Sequence, residues 1–229
     1  MTTHLIEVHE LNKVYPAGDT RVVAIDHMDF FIDDGEFVTI MGQSGSGKST
    51  LLSVMGAMNR PTKGRVMVDS LDLYGLTTEQ RADFRSEYMG FIFQSFQLVP
   101  YLTVFENVML PMAVTGRKKR EKNDMAMGVI DRVGLSDKAH RLPDQLSGGE
   151  QERVAIARAI VNRPPIILAD EPTGNLDSET AKEIMALLQG LNREGHTIIM
   201  VTHNPEMEAH AGRTIRMKDG RILHPRIAA

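Results

Sequence analysis

The sequence predicts an α/β domain whose mainly parallel sheet is covered by helices on both faces. Near-continuous apolar segments at residues 165–171 and 196–202 are typical of parallel strands buried on both sides. Between them, residues 178–193 carry apolar side chains at helical spacing and predict an amphipathic helix. A glycine-rich segment at residues 42–49 joins a third predicted strand to a helix, as expected for a strand–loop–helix unit.

The N-terminal part of the chain is predicted to consist mainly of short strands. They are rich in β-branched and aromatic residues and bounded by Gly, Asp or Pro, and they cover residues 5–11, 22–25, 30–32 and 37–41. A helix is predicted over residues 51–58, a strand at 64–69 and a helix over 77–89. Thr77 or Thr78 is the expected N-cap of that last helix.

Helical patterns dominate the middle of the chain, at residues 104–114, 122–133 and 149–161. We therefore predict one domain over residues 1–229. Residues 1–95 and 161–229 would form its core, and about 96–160 an inserted helical subdomain.

Composition limits the classes of function. The chain has no cysteine, which excludes disulfides, cysteine metal sites and thiol catalysis. A net charge of −4 disfavours a nucleic-acid-binding role. The N-terminal residues show no leader pattern, and no apolar run reaches the roughly 18 residues that span a bilayer. We expect a chain that does not cross a membrane by itself.

The segment before the first core helix matches the phosphate-loop pattern G-x-x-x-x-G-K-[ST]. Its glycines allow backbone N–H groups to point at phosphate oxygens, and the following helix adds its positive dipole end. Lys48 would contact the outer phosphates, and the Ser49 hydroxyl would bind Mg²⁺. The predicted nucleotide-binding residues here are Gly42, Gln43, Ser44, Gly45, Ser46, Gly47, Lys48, Ser49 and Thr50.

Two acidic residues end the apolar strand at residues 165–171. Asp170 is tolerated in a buried strand if its carboxylate emerges at the carboxyl edge of the sheet, where it would hold Mg²⁺. Glu171 would then polarise the water that attacks the γ-phosphate.

A second glycine-rich segment precedes another predicted helix. Its glycines behind a serine predict a further anion site at a helix start. One domain that binds one triphosphate has no obvious need of two such sites, so the second would cap the nucleotide of a partner subunit. This segment, called the signature segment below, consists of Leu146, Ser147, Gly148, Gly149 and Glu150.

These motifs, in this order and over essentially the whole chain, resemble the nucleotide-binding domain of ABC transporters. Residues 90–100 and 169–177 are similar to the subunits of lipoprotein-release and macrolide-export systems, the MacB/LolD group. The resemblance implies a P-loop NTPase (RecA-like) core, an N-terminal antiparallel β subdomain and an inserted α-helical subdomain. Gln43 and Glu152 depart from the group, which usually has Pro and Gln at these positions.

The resemblance also implies roles for residues whose own sequence context is uninformative. Tyr15 would stack on adenine, Gln94 would bind Mg²⁺ and sense the γ-phosphate, and His203 would contact the γ-phosphate. Together with Glu171 and Lys48, His203 would form the catalytic set. A dimer loop is implied at three consecutive residues, Asn175, Leu176 and Asp177.

By resemblance, the chain would be an ATPase that uses ATP and Mg²⁺ and forms an ATP-dependent homodimer. Its other partners would be an integral membrane permease on a separate chain and a periplasmic adaptor. It would lie on the cytoplasmic face of the inner membrane without binding the transported substrate, a lipophilic compound or a lipoprotein. The alternative is a mechanical or sensory module that signals through a membrane protein without transport.

Two surface segments have alternative interpretations. Residues 98–110 are apolar and follow Gln94, so they would contact the permease or pack inside the helical subdomain. The basic run at residues 117–122 would touch anionic headgroups or form a solvated helix start, and the shortness of the run and Glu121 within it favour the second.

Overall fold

The computed structural model describes residues 4–18 and 20–223. In chain order, the strands and α-helices are β1 (Ile6–Ala17), β2 (Thr20–Ile32), β3 (Phe37–Met41), α1 (Lys48–Met55), β4 (Lys63–Val68), β5 (Leu71–Asp72), α2 (Thr78–Tyr88), β6 (Met89–Ile92), α3 (Val104–Met109), α4 (Lys119–Arg132), α5 (Gly148–Ile160), β7 (Ile166–Asp170), α6 (Ser178–Arg193), β8 (Thr197–Thr202), β9 (Arg213–Lys218) and β10 (Arg221–Leu223). Two compact units are distinguished: the described residues up to Arg85 with those from Ile199 onward, and Ser86–Ile198. The predicted absence of a leader rests partly on residues 1–3, which lie outside the described residues.

The first unit contains an antiparallel sheet in the order β2-β1-β4-β5. Ile25, Met28 and Ile32 are buried along β2. The two strands predicted at residues 22–25 and 30–32 are therefore parts of one long strand, because Met28 between them continues the buried face. An antiparallel β region at the N-terminus is present as predicted.

A second group of strands in this unit has the order β10-β9-β3-β8. β3 and β9 are parallel, whereas β9 and β10 are antiparallel. Every residue of β3 and of β8 is buried, which explains their near-continuous apolar sequences. β9 and β10 were not predicted, although Ile215 and Met217 alternate with the exposed Arg216 and Lys218 in the pattern of a half-buried strand.

The second unit pairs β6 with β7 in parallel, with Met89 opposite Ile166 and Ile92 opposite Ala169. The sequence predicted β7 but not β6, because β6 has only four residues, includes Gly90 and directly follows α2. Between residues 93 and 165, all regular elements are helical, as predicted. Their shared core consists of Val104, Val108, Met112, Ala126, Ile130, Val133, Leu135, Ala139, Leu146, Val154, Ala157 and Val161.

Helix α6 has the bounds that the sequence predicted. Asp177 is its N-cap, and the Asp177 carboxylate accepts hydrogen bonds from the backbone N–H groups of Glu179 and Thr180. The buried side chains recur at helical spacing on one face of the helix, namely Ala181, Ile184, Met185, Leu188 and Leu191. No helix among the described residues combines the length and apolarity needed to cross a bilayer.

Candidate functional site

The phosphate loop follows the buried strand β3 in the first unit and ends where α1 begins at Lys48. Gly47 is the N-cap of α1 and has φ 97°, and a Cβ there would lie 2.1 Å from the Ala24 carbonyl oxygen. Only glycine fits this position. No side chain caps the helix, and its first turn carries no acidic residue. The positive end of α1 is therefore not compensated by a carboxylate of its own first turn.

Lys48 is sheltered at this helix start, with a relative exposure of 6%. Its Nζ donates to the carbonyl oxygens of Gly42 at 2.8 Å and Gln43 at 3.0 Å. The loop is tied further by the Ser46 N–H, which donates to the Gln43 carbonyl at 3.2 Å. The buried Ser46 Oγ has no hydrogen-bond partner among the described residues. The Lys48 ammonium and the Ser46 hydroxyl are thus both held within a loop whose shape is fixed by its own hydrogen bonds.

The same unit brings His203 to the phosphate loop. A cavity of about 550 Å³ is lined by Gly42, Gln43, Ser44 and His203, together with residues of β9 and β10. His203 lies directly after β8 and is exposed. Ser49 is exposed and Thr50 half-buried on the first turn of α1. The predicted phosphate-binding residues Gly42, Gln43 and Ser44 are therefore neighbours of His203.

Tyr15 lies on β1, half-buried and opposite Val22 of β2. Its hydroxyl accepts a hydrogen bond from Asn59 Nδ2, and Lys13 Nζ lies 4.8 Å from the ring centroid. Val22 exposes about half of its surface on the same face of the sheet. An aromatic ring and an exposed apolar side chain form a surface suited to a planar base. The sequence indicated the ring but not Val22, which only strand pairing brings into place.

The two acidic residues of the second unit lie where the sequence predicted. Asp170 is the last residue of β7, and Glu171 follows it with φ 50°. The left-handed backbone conformation is unfavourable for a glutamate and is typical of functional sites. The Gly174 N–H donates to the Glu171 carbonyl at 3.0 Å and closes the turn into the dimer loop.

The signature segment is capped by its own side chains. Ser147 Oγ accepts from the Glu150 N–H at 3.3 Å, and the Ser147 N–H donates to Glu150 Oε2 at 2.9 Å. Lys138 Nζ donates to the other carboxylate oxygen of Glu150. This bond and the one from Ser147 hold the pKa of Glu150 below its usual range. The second helix start is thus a complete capping box with a paired acid.

Gly149 permits close packing against α6, whereas Gly148 lies at ordinary contact distance from the dimer loop. A Cβ at Gly149 would lie 2.4 Å from Thr180 Cγ2, and one at Gly148 would lie 3.5 Å from Leu176 Cδ2 and 3.8 Å from Phe96 Cζ. Asn175 Nδ2 donates to Ser95 Oγ at 3.4 Å. The signature segment, the dimer loop and the loop after Gln94 therefore lie together in this unit.

Gln94 is exposed and lies just after β6. Arg158 of α5 holds the next part of the chain by two backbone carbonyls: its guanidinium donates to Gln97 O at 2.7 Å and Phe96 O at 2.8 Å. Sequence reasoning did not single out Arg158. No local pattern marks an arginine that is placed by helix packing.

The two surface segments also acquire contacts. Val104 and Val108 are fully buried, whereas Tyr101 and Leu110 are exposed, so most of residues 98–110 packs inside the helical core. In the basic run, Arg117 pairs with Glu121 at 3.5 Å and donates to Asn162 at 3.0 Å. Such pairing favours a solvated helix start.

Comparisons with known proteins agree with one another. The family model of the ABC transporter matches residues 25–174. The uncharacterized ABC transporter ATP-binding protein MJ1508 of Methanocaldococcus jannaschii is 46% identical over 96% of this chain and 98% of that protein. The macrolide export ATP-binding/permease protein MacB of Sodalis glossinidius is 46% identical over 97% of this chain. The chain spans 34% of the length of that MacB protein and 35% of a second one, from Burkholderia pseudomallei.

Solved structures give the same result. The dimeric structure of MJ0796, a bacterial ABC transporter cassette, superposes with a TM-score of 0.89 at 42% identity, over 96% of this chain and 97% of that chain. The dimeric post-hydrolysis state of the ATP-binding cassette MJ0796, bound to ADP and Pi, gives a TM-score of 0.89 at 40% identity over the same shares.

Proposed function

Because the chain belongs to the ABC transporter family, we propose that it binds and hydrolyses ATP as one of a pair of nucleotide-binding domains that drive a membrane permease. Family membership confirms the resemblance and the α/β P-loop NTPase fold indicated by the sequence. One observation carries the proposal: α1 begins with a sheltered lysine, no acid in its first turn and no side-chain cap. A helix start of this kind favours a bound polyphosphate.

Nucleotide binding is assigned to the first unit's residues. The loop N–H groups and Lys48 would bind the β- and γ-phosphates, with the Lys48 ammonium leaving the Gly42 and Gln43 carbonyls for phosphate oxygens. Tyr15 and Val22 beside it would bind the adenine. His203, which borders the same cavity as the loop, would contact the γ-phosphate.

The residues proposed to hold Mg²⁺ fit this cation chemically. Ser49, Gln94 and Asp170 offer a hydroxyl, an amide and a carboxylate oxygen, which are the hard ligands that Mg²⁺ takes alongside phosphates and water. Mg²⁺ held by these residues would supply positive charge beside the phosphates. Glu171 would accept a hydrogen bond from the attacking water and orient it. The left-handed backbone of Glu171 supports a functional position for this side chain.

Pairing is proposed because the chain carries two glycine-rich helix starts. Two copies would close head to tail, so that each ATP lies between one chain's phosphate loop and the signature segment of the other. The dimer loop would cross the interface. ATP can drive such closure only if the closed pair binds it more tightly than the open chains do. The MJ0796 cassette, which is dimeric in both solved structures, supports pairing.

The partner is proposed to be an integral membrane permease on a separate chain, with a periplasmic adaptor as a further component. The name of MacB, which joins ATP-binding and permease functions, supports a permease partner. Tyr101 and Leu110 are our candidate contacts, since both are exposed apolar residues beside the helical core. The chain would lie on the cytoplasmic face of the inner membrane, and the permease would export or extract a lipophilic compound or a lipoprotein.

The decisive test is Glu171→Gln, which keeps the size of the side chain and removes the carboxylate. We expect the ATPase rate to fall on the order of 10²–10⁴-fold, the usual contribution of a general base. We also expect ATP to shift the variant from monomer to dimer in size-exclusion chromatography, because bound ATP is no longer consumed. Glu179→Gln, the same change at an exposed position of α6, is the matched control and should behave as the wild type. A Glu171→Gln variant that hydrolyses ATP normally and never dimerises would refute the proposal.

A further inference from the structure

Residues 59–62, called the α1–β4 turn below, lie between α1 and β4 and are hydrogen-bonded to β1. The Thr62 N–H donates to the Asn12 carbonyl oxygen at 2.8 Å, and Thr62 Oγ1 accepts from the Val14 N–H at 3.0 Å. These bonds hold the turn beside the part of β1 that leads into Tyr15.

Asn59 and Lys13 extend these ties to the Tyr15 side chain. Asn59 Nδ2 donates to the Tyr15 hydroxyl, 44 residues away in sequence. Lys13 Nζ donates to the Arg60 carbonyl oxygen at 2.6 Å and lies 4.8 Å from the centroid of the Tyr15 ring. A cation at this distance is attracted to the face of an aromatic ring. The tyrosine is therefore held at its hydroxyl by an amide and at its ring by an ammonium group, and both of these groups are fixed to the α1–β4 turn.

Asn59 is itself fixed to the end of α1. Its N–H donates to the Ser53 carbonyl oxygen at 3.2 Å. The buried Tyr74 hydroxyl lies 2.8 Å from the Asn59 carbonyl oxygen and 2.6 Å from that of Val54. Ser53 and Val54 belong to the last turn of α1. Asn59 thus joins this end of the helix to the Tyr15 ring.

The beginning of α1 approaches the same pair of strands. Gly47, its N-cap, lies so close to β2 that a Cβ there would be 2.1 Å from the Ala24 carbonyl oxygen. Ala24 follows two residues after Val22, the partner of Tyr15 on β2. The helix between the two contacts has eight residues and a length of about 12 Å. The phosphate loop and Asn59 therefore lie at opposite ends of one short helix, and both ends contact the strands that carry the Tyr15 ring.

We propose that Asn59 is a positioning residue for nucleotide binding, which fixes the Tyr15 ring relative to the phosphate loop through α1. One nucleotide has to reach the ring with its base and the loop with its phosphates, so the separation of the two must match the ligand. A ring that is already held in place loses less conformational freedom when a base stacks on it. Asn59 therefore strengthens binding of the base and leaves the phosphate contacts unchanged. This inference rests on the proposed function, because it takes the Tyr15 ring as the adenine contact.

The first experiment measures ATPase kinetics of Asn59→Ala and Tyr15→Phe, which remove the two partners of one hydrogen bond. Tyr15→Phe keeps the aromatic ring. We expect either change to raise KM for ATP about 3–10-fold, the effect of one hydrogen bond. The kcat should be unchanged, because stacking of the base is the same in the ground state and the transition state. Asn59→Ala combined with Tyr15→Phe should have the KM of the single variants, because the same bond is lost in all three.

The matched control is Asn123→Ala, the same change on α4, which should alter neither constant. Increases in KM that multiply in the double variant would mean that the two residues act independently and would overturn the proposal. So would a loss of kcat at unchanged KM.

Inorganic tripolyphosphate separates the base site from the phosphate site, because it carries the phosphate chain of ATP without a base. Its inhibition constant against ATP should be equal in the wild type and Asn59→Ala. If Asn59→Ala weakened tripolyphosphate as much as ATP, Asn59 would support the phosphate loop or the fold as a whole, and the positioning role would be refuted. A wild type that bound neither ATP nor tripolyphosphate would refute the proposed function, and the role of Asn59 in nucleotide binding with it.

The hold on the ring can also be measured without any ligand. The chain has four tyrosines, so labelling with 3-fluorotyrosine gives four fluorine NMR signals, of which Tyr15→Phe removes the one to be followed. In Asn59→Ala this signal should narrow and move towards the position of free fluorotyrosine, while the other three stay in place. A Tyr15 signal that is the same in the wild type and Asn59→Ala would refute the positioning role, whatever the nucleotide affinities are.

Discussion

The helices that follow the two glycine-rich segments begin in opposite ways. Helix α1 has a glycine N-cap without a side-chain hydrogen bond and no acid in its first turn, and Lys48 is its first residue. Helix α5 has a serine N-cap, Glu150 in its first turn and a reciprocal capping box, and Lys138 pairs with that glutamate. The positive end of α1 is therefore available to an anionic ligand. At α5, by contrast, side chains of the chain itself already bind N–H groups of the first turn.

The difference shows that a glycine-rich turn before a helix does not define one kind of site. At α1, an incoming polyphosphate would satisfy the N–H groups and the lysine together. At α5, the box fixes the backbone, and Gly149 allows the close approach of Thr180. We therefore expect substitutions at α1 to impair nucleotide binding and substitutions at α5 to impair stability or pairing.

Among variants at the two helix starts, the largest effect is expected from Lys48→Met, which keeps the length of the side chain but removes its charge from the start of α1. The ATPase kcat/KM should fall on the order of 10²–10³-fold, because a charge that stabilises the transferred phosphoryl group is lost. Steady-state ATPase assays and nucleotide titrations measure this. Lys63→Met, at an exposed position of β4, is the control and should change neither quantity. Unaltered nucleotide affinity and rate in Lys48→Met would remove α1 from the site.

The next largest effect is expected on the pH dependence of stability, from Glu152→Gln. Glu152 is the acidic residue of α5 that takes no part in the capping box. The unfolded chain releases this proton near the ordinary value of 4.5, whereas the folded chain holds it to about 8. The stability contributed by the neutral carboxyl is therefore complete below pH 4.5 and is lost as pH rises to about 8. Relative to the wild type, Glu152→Gln should gain about 3 kcal/mol in unfolding free energy between pH 4.5 and pH 7.

Urea unfolding at both pH values measures that change. The comparison uses the difference between the two pH values, so any constant cost of burying the amide cancels. Glu183→Gln should show no comparable dependence, because its carboxylate is exposed and paired with Arg153. A difference that stays constant with pH would mean that Glu152 ionises normally in the folded chain.

Gly149→Ala tests whether the signature glycines serve packing. The added Cβ would lie 2.4 Å from Thr180 Cγ2, and Thr180 is held by its hydroxyl bond to Asp177 at 2.7 Å. The free energy of unfolding should fall by about 1–3 kcal/mol, the usual cost of overpacking. Thr180→Ser removes the clashing methyl group, keeps the hydroxyl and should restore stability.

The matched control for Gly149→Ala is Gly128→Ala on α4, where an added Cβ meets nothing within 4 Å. This change should stabilise the protein by about 0.5–1 kcal/mol, because alanine favours the helix. If both alanine variants were equally stable in urea unfolding, close packing would not explain Gly149.

The sequence predicted both glycine-rich helix starts, but not that side chains of the chain itself cap the start of α5. The phosphate loop, Asp170 and the bounds of α6 follow from local patterns, which the strand and helix periods determine. The capping box at Ser147 was also visible as S-x-x-E, yet the glycines alone suggested an anion site. Strand β9 carried an alternating pattern that was not recognised.

Three other features of the structure were not marked by any local sequence pattern. Arg158 reaches the loop after Gln94 from 61 and 62 residues away in sequence, and helix packing alone sets this contact. The position of the exposed Val22 beside Tyr15 depends on the register of β1 and β2. Glu152 stood out in sequence only as a departure from the family, because nothing local marked its burial.

The smallest effect is expected from Ser147→Ala, which removes the N-cap of α5. Stability should fall by about 1 kcal/mol, the usual value of a serine cap. Thr103→Ala is the matched control, because Thr103 and Glu106 form the same reciprocal box at the start of α3. Urea unfolding should give nearly equal losses for the two variants if both residues act only as caps.

ATP-dependent pairing then separates the two roles that Ser147 can have. In the Glu171→Gln background, Thr103→Ala should dimerise with ATP like its parent, because its cap lies at another helix. Ser147→Ala should need more ATP for the same dimer fraction if the Ser147 hydroxyl also contacts the partner's nucleotide. Equal dimerisation of both variants, at equal loss of stability, would show that the serine only caps its own helix. The contrast between the two helix starts would then be complete, since α1 alone would bind phosphate through a side chain.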